Sequence, residues 1–491
     1  MMKTNLIALR RITFLALALT ASTALLADGD ASNKTFLSPR SPSVNMAHKY
    51  TTWADHVYGK RCGKAQTSFQ LTGFFSESEK GKDLGNYFGI GNKSNSFTVG
   101  PTTAPGEINT DFLMHDFAGI GNASGTITLA PRQEAWGARL DFFQDLHFRF
   151  GKFFIAATLP IVHVQQNMRI QTTDGLPTRA IGGTQFTLED FFSGKFENAD
   201  PADAENKQSA LTKAKIGGSH SETGVADIEL ELGWKALESK KCHIFLNLGF
   251  TIPTSNKADG EFLFEPIYGN GDHFAFGGGI DAGVTLWCKD KNKVRLLLAG
   301  DYRFLFDNTQ KRTLGVMDDV GVPQRFGHYA AGYKLLQDPG TPLFPLANVL
   351  TQNVGVEPGS QIDALAALSF NFCRLTFDAG YNLFWRDKES VKVKAWEDGV
   401  YYQASILRDA TDAFTLVNAG LDTPINRKNL NIAAAATPSL LSHKIFGSLA
   451  YSGKIKNQYP CSFGVGGSYE FADTNADLEN WSAWIKAILS F

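Results

Sequence analysis

Asp227, Glu229 and Glu231 stand at alternate positions in Gly224-Val-Ala-Asp-Ile-Glu-Leu-Glu-Leu-Gly-Trp234, with Ala226, Ile228, Leu230, Leu232 and Trp234 between them. Carboxylates at every second residue fall on one face of an extended strand, and the apolar residues fall on the other. Such a row solvates cations beside water or pairs with bases across a narrow interior. Other charges share one parity within their own segments: Arg139 with Asp141, Asp281, Arg295 with Asp301 and Arg303, Asp363, Asp378 with Arg386, Glu470, and Lys486. If the apolar faces meet lipid, these charges line a common lumen, because a charge facing lipid near the midplane costs roughly 2–4 kcal/mol. Two outcomes follow: a water-filled pore whose acidic excess favours cations mildly, or charge pairs that fill and close a small barrel.

Catalytic motifs are poor. Gly59-Lys-Arg-Cys-Gly63-Lys64 is one residue short of a phosphate loop and precedes a strand, not a helix. Gly119-Ile-Gly121-Asn-Ala-Ser-Gly125 has the wrong spacing for a dinucleotide site. Ser219, His220 and Glu222 are too close in sequence to form a triad, which needs side chains converging from separate segments. No His-Glu-x-x-His and no paired-cysteine spacing occurs, so neither a metal nor a cofactor is expected. A formal net charge of −2 argues against nucleic acid as a partner.

Five cysteines, Cys62, Cys242, Cys288, Cys373 and Cys461, each sit at the short-turn end of a predicted strand. In an exported chain disulfides persist, and pairs between neighbouring turns are open. The odd count leaves at least one thiol free or available to another chain. The plainer reading is that they are small residues at an interface.

The elements that position these groups are strands. Lys3, Arg10 and Arg11 precede the apolar run Ile12–Ala21 and the small-residue site ending at Ala27, a secretory signal peptide over 1–27. Residues 28–65 are polar and turn-rich, and are expected to be a periplasmic extension or a plug. From 66 to 491 about twelve alternating segments (10–14) recur, among them 126–143, 152–164, 243–253, 273–287, 294–306, 361–372, 374–386, 443–453 and 461–471. Pro160 suggests the end of a strand or a bulge. Short and long connections alternate, which is the asymmetry of a transmembrane antiparallel β-barrel with short periplasmic turns and long extracellular loops. On that plan both termini lie on the periplasmic side. A short helix is expected near 202–215. The apolar clusters Phe344–Leu350 and Val400–Leu407 are expected to pack together, fold into the lumen or contact a ligand. The final strand alternates Trp481, Ala483, Ile485, Ala487, Leu489 and Phe491 against Ser482, Trp484, Lys486, Ile488 and Ser490.

That closing strand with its C-terminal Phe491 resembles the assembly signal of bacterial outer-membrane β-barrels, of porin-like or major outer-membrane-protein type. The cysteine placement is similar to that of cross-linked major porins. The stretch from Phe250-Thr-Ile-Pro-Thr254 to Gly277-Gly-Gly279 resembles strand–loop–strand units of transporters for hydrophobic compounds. The resemblance implies the outer membrane, and as partners its lipid, the barrel assembly machinery and small solutes. It also implies a homotrimer or disulfide-linked envelope proteins. The expected activity is passive diffusion of small polar solutes or ions and not enzymatic. The alternatives are carriage of fatty or aromatic compounds and a structural or adhesive barrel with a plugged lumen.

Overall fold

Alternation of apolar and polar residues produces the strands, and their length closes them. The computed structural model describes residues 33–58, 65–79, 81–88, 95–100, 112–113, 125–173, 179–181, 184–197, 207–290, 292–318, 320–321, 323, 327–334, 343–403, 406–408, 414–416, 423–472 and 477–491. The predicted signal peptide, Cys62, Gly59–Lys64 and most of Gly119–Gly125 lie outside these residues.

Twelve antiparallel strands form the wall: β1 Thr67–Ser78, β2 Arg132–Phe148, β3 Gly151–Asn167, β4 in two pieces (Ser219–Val225 and Ile228–Glu238), β5 Cys242–Ile252 and β6 Ala275–Lys289. They continue as β7 Asn292–Leu305, β8 Gly359–Phe372, β9 Leu375–Arg386, β10 Leu440–Ile455, β11 Tyr459–Ala472 and β12 Asn480–Ser490. Each pairs with its neighbours in sequence, and β1 closes on β12 with Ser68 opposite Ser490 and Ser78 opposite Asn480. Closure leaves no unpaired edge, which a wall surrounded by lipid requires.

The outward parity carries the exposed aliphatic and aromatic residues, such as Leu71, Leu232, Leu248, Phe377, Leu449 and Ile485. In β12, Ile485 is 58% exposed, while Ser482, Trp484, Lys486, Ile488 and Ser490 are buried inside. Oil outside and polarity within is the inverse of a soluble domain.

β4 is interrupted at Ala226–Asp227, a departure from the single strand expected over 224–234. Its cause is Pro160 on β3. A strand residue's N–H and C=O point to the same neighbour. Pro160 O accepts from Ala226 N at 3.0 Å, so its missing N–H faces the gap in β4. β3 itself runs on to Asn167; the irregularity falls on the partner strand.

Short turns, including 149–150, 239–241, 373–374 and 456–458, lie at one rim. Asp290, Cys373, Lys456 and Asn457 adopt positive φ there, as tight reversals require. The described residues of the connections 79–131, 168–218, 253–274, 306–358, 387–439 and 473–479 lie at the other rim. These longer loops build a canopy with its own apolar cores. One contains Leu84, Phe88, Phe191, Phe192, Phe264 and Tyr329; another contains Leu314, Val316, Leu346, Leu350, Val354 and Val356. The Phe344–Leu350 cluster is therefore internal to the canopy. Tyr401 and Tyr402 pack against Phe344 and Tyr333, and residues 404–405 lie outside the described ones. No helix forms over the described residues 207–215. That segment makes parallel bridges at Gln208–Leu343 and Lys215–Phe262 and buries Leu211 and Ala214 in the canopy core, so its backbone is committed to other loops.

Leu232 is half exposed on the outward face of β4. Leu232→Arg is expected to destabilise the bilayer-embedded barrel by roughly 2–4 kcal/mol. Denaturant titration from liposomes measures this, and a change below 1 kcal/mol would place that face away from lipid.

Candidate functional site

The lumen is occupied. Residues 33–58 run inside the wall, with two short helices, α1 Met46–Tyr50 and α2 Ala54–Val57. The segment begins beneath the canopy, where Lys34 N donates to Tyr87 O at 2.9 Å and Thr35 N to Ala434 O at 2.9 Å. It ends at the short-turn rim, where His56 shares hydrogen bonds of 2.7 Å with Ser490 and Ser462. Residue 34 and Phe491 thus lie at opposite ends of the barrel. The reason is that β1 starts at the short-turn rim, and the preceding chain has already descended the lumen to reach it.

Apolar residues press this plug onto the wall. Met46, Ala47, Tyr50, Trp53, Ala54 and Val57 are buried. They meet Phe74, Phe446 and Trp484 in one cluster and Phe143, Phe154, Phe245 and Ile488 in another. Burying Met46 and Val57 contributes roughly 1.5–3 kcal/mol each.

Polar groups fix its position. Arg40 donates to Glu470 Oε1 at 2.7 Å and Asp363 Oδ2 at 2.9 Å, and its guanidinium lies 4.3 Å from the Phe384 ring centre. Glu470 also pairs with Lys444 at 3.0 Å. Lys49 pairs with Glu231. Lys486 Nζ donates to His48 O at 2.5 Å and Thr51 O at 2.7 Å, so a cation sits at the C-terminal end of α1, where carbonyls lack partners. Thr52, with φ +64, donates its N–H to Asp378 Oδ2 at 2.6 Å. Arg139 bonds Asp141 at 2.8 Å and Ser43 O at 3.3 Å, and Arg386 bonds Ser38 O at 2.7 Å. Tyr58 donates to Asp281 and stacks on His243 at 3.8 Å.

Of the sequence-predicted lumen residues, then, Asp141, Arg139, Glu231, Asp281, Asp363, Asp378, Arg386, Glu470 and Lys486 converge on the plug. Glu229 pairs with Arg303 across the wall at 2.6 Å, and Asp301 borders a small cavity beside them. Arg295 lies toward the short-turn end of β7. Asp227 does something else. Its carboxylate accepts from Thr254 N at 3.3 Å, Ser255 N at 3.4 Å and Asn270 N at 2.6 Å, stapling the loop 253–274 over the gap in β4.

The canopy clamps the upper end of the plug. Arg312 pairs with Glu389 at 2.5 Å and lies 3.7 Å over the Phe36 ring. Burial alone would raise the Glu389 carboxyl, but the Arg312 guanidinium prevails and holds it at about 2. Cys242, Cys288, Cys373 and Cys461 are unbridged at the short-turn rim, with Cys288 and Cys373 exposed.

A wall of this kind around a folded internal segment defines a plugged transmembrane β-barrel. No family model and no curated protein matches the chain. Among solved structures it is similar to the COG4313 outer membrane channel from Pseudomonas putida F1 (TM-score 0.40, 9% identity, 88% of this chain and 97% of that one). It is also similar to the Pseudomonas putida toluene transporter TodX (TM-score 0.33, 10% identity, 95% and 98%) and to the NanC porin (TM-score 0.26, 8% identity, 72% and 92%).

Arg40→Ala leaves Asp363 and Glu470 buried without their shared cation, a loss of about 3–5 kcal/mol. Limited proteolysis of the folded protein should then cut within residues 40–58, where the parent chain resists; equal resistance would refute the anchoring role.

Proposed function

We propose that this protein is an outer-membrane channel for small polar solutes or ions that rests closed, with residues 33–58 as its gate. A signal peptide over residues 1–27 would export it. The observation that supports this reading is the match between plug and wall: charges suited to line a pore are answered by a segment of the same chain. Water can replace each of those polar contacts, so withdrawal of the segment would leave a hydrated, charge-lined lumen. A second reading, carriage of apolar molecules, is favoured by the canopy core that reaches the plug through Leu37.

Planar-bilayer recording tests the first reading. The chain lacking residues 33–58 should give stable ohmic steps larger than those of the full chain. Arg40→Ala combined with Lys486→Met keeps the length and should open more often than the parent. Silence of both variants at high protein dose would remove the channel reading. Uptake of aromatic or fatty compounds by cells, lost with the protein and independent of conductance, would favour the second.

The exposed Cys288 and Cys373 make bridging to another chain part of the proposal. Non-reducing gels of envelopes should show a high-mass band that collapses on reduction. Unchanged migration would dismiss it.

A further inference from the structure

The plug does not fill the lumen evenly. Against β9–β12 and β1 it is pressed on Phe446, Trp484, Ile488 and Phe74. Three small cavities lie between it and the wall, the upper along β7–β9 and the middle and lowest both bordered by the arc β4–β6. The upper, about 20 Å³, lies beneath the canopy between Phe36, Val44, Ile267 and Phe384. The middle one, about 50 Å³, is bordered by Val44, Lys49, Glu231, Gly249 and Asp301. The lowest, about 30 Å³, reaches Tyr58 and Asp281. Val44 borders the first two; Lys49, Glu231 and Asn247 border both of the others. A fourth cavity, on the Arg40 side, touches none of the residues around the lowest one.

The wall makes room on this arc. The inward positions of β5 and β6 include Gly249, Gly277, Gly279 and Gly283. A Cβ on Gly249 would meet nothing within 4 Å, whereas one on Gly279 would strike Asp301 Oδ1 at 2.1 Å and Asn247 Oδ1 at 2.9 Å. Polar side chains therefore lean into the space the glycines leave. The middle and lowest cavities are bordered by six carboxylates and three cationic side chains. Asp301 makes no direct ion pair among the described residues, and Asp281 is met by Tyr58 and by His243 at 3.3 Å.

We propose that solute passes between the plug and the glycine-pared arc of β4–β7, that the Lys49–Glu231 pair closes this path, and that its preferred cargo is small cations. The proposal rests on the channel reading and deepens its gate: the plug stays in the lumen and the passage opens beside it rather than by withdrawal. Each cavity holds at most a few waters, so the path is shut at Val44 and at Lys49. Displacing the Lys49 ammonium joins the two lower cavities and leaves Glu231 and Asp301 facing the passage.

The test is single-channel recording of a size series at Gly249, where added atoms have free space and the fold is spared. Conductance should fall with side-chain size, Gly249→Leu about twofold and Gly249→Phe about tenfold below the parent. Lys49→Met should raise open probability. In a potassium chloride gradient the reversal potential should report cation preference, reduced by Asp301→Asn. Heat-modified gel mobility identifies folded variants. Full conductance of folded Gly249→Phe, or anion preference, would overturn the route or the cargo while leaving the channel reading intact. If the full chain and Lys49→Met are silent but the chain lacking 33–58 conducts, the closure is elsewhere and the proposal falls. If that shortened chain is silent too, the channel reading falls with it.

Discussion

A charge on the inner face of a lipid-surrounded wall has only the lumen in which to find a partner. In this protein the partner is protein rather than bulk water. Asp363 and Glu470 find Arg40, Glu231 finds Lys49, and Lys486 finds the end of α1. Buried ion pairs add little net stability when both partners are present, yet removing one partner strands the other. Their effect is to make position specific. Sliding the plug by one residue would break several pairs at once, so the segment has one height in the barrel. Full withdrawal is different, since flooding the lumen would hydrate every charge.

The apolar contacts have no such substitute. Trp53 and Val57 against Phe143, Phe154, Phe245 and Ile488 would be exposed to water by withdrawal. The energy that keeps the lumen filled therefore comes mainly from these rings, while the ion pairs set register. The two kinds of contact are interleaved around the plug: β9–β12 supply both Phe446 and Trp484 and the partners of Thr52, Arg40 and α1, and β5 supplies Phe245 beside its glycine. The upper end is held separately, by Arg312 over Phe36 and by backbone bonds to the canopy.

Much of the wall was legible. Period-two alternation located all twelve strands, because lipid outside and polarity inside leave a strand only one compatible register. The terminal strand shows the same oil-outward parity expected from Ile485 and Lys486. The parity of the connections marked which rim carries the long loops. Less legible was anything that depends on contacts distant in sequence. Asp227 has the parity of a lumen residue, but the backbone amides that claim it come from a loop whose path only the fold defines. The segment 207–215 has helical residues, yet its backbone makes isolated bridges to residues of other loops, and that tertiary demand outweighs propensity.

The occupied lumen did leave a trace in the sequence. A lumen filled with water has no use for Phe74, Phe143, Phe154, Phe245, Phe446, Trp484 and Ile488 on its inner face, each on the same parity as polar or charged residues. Leaving such side chains in water forgoes roughly 1.5–3 kcal/mol apiece, so the interior needs an apolar counterpart. Only a segment outside the wall can supply one. Between the predicted signal and β1, Met46, Ala47, Tyr50, Trp53, Ala54 and Val57 recur at the spacing of one helical face. They form two short helices rather than one because Thr52 takes a left-handed turn to present its N–H to Asp378. Inward aromatics on an otherwise polar parity, together with an unassigned amphipathic stretch, are thus a sequence signature of a barrel that carries its own occupant.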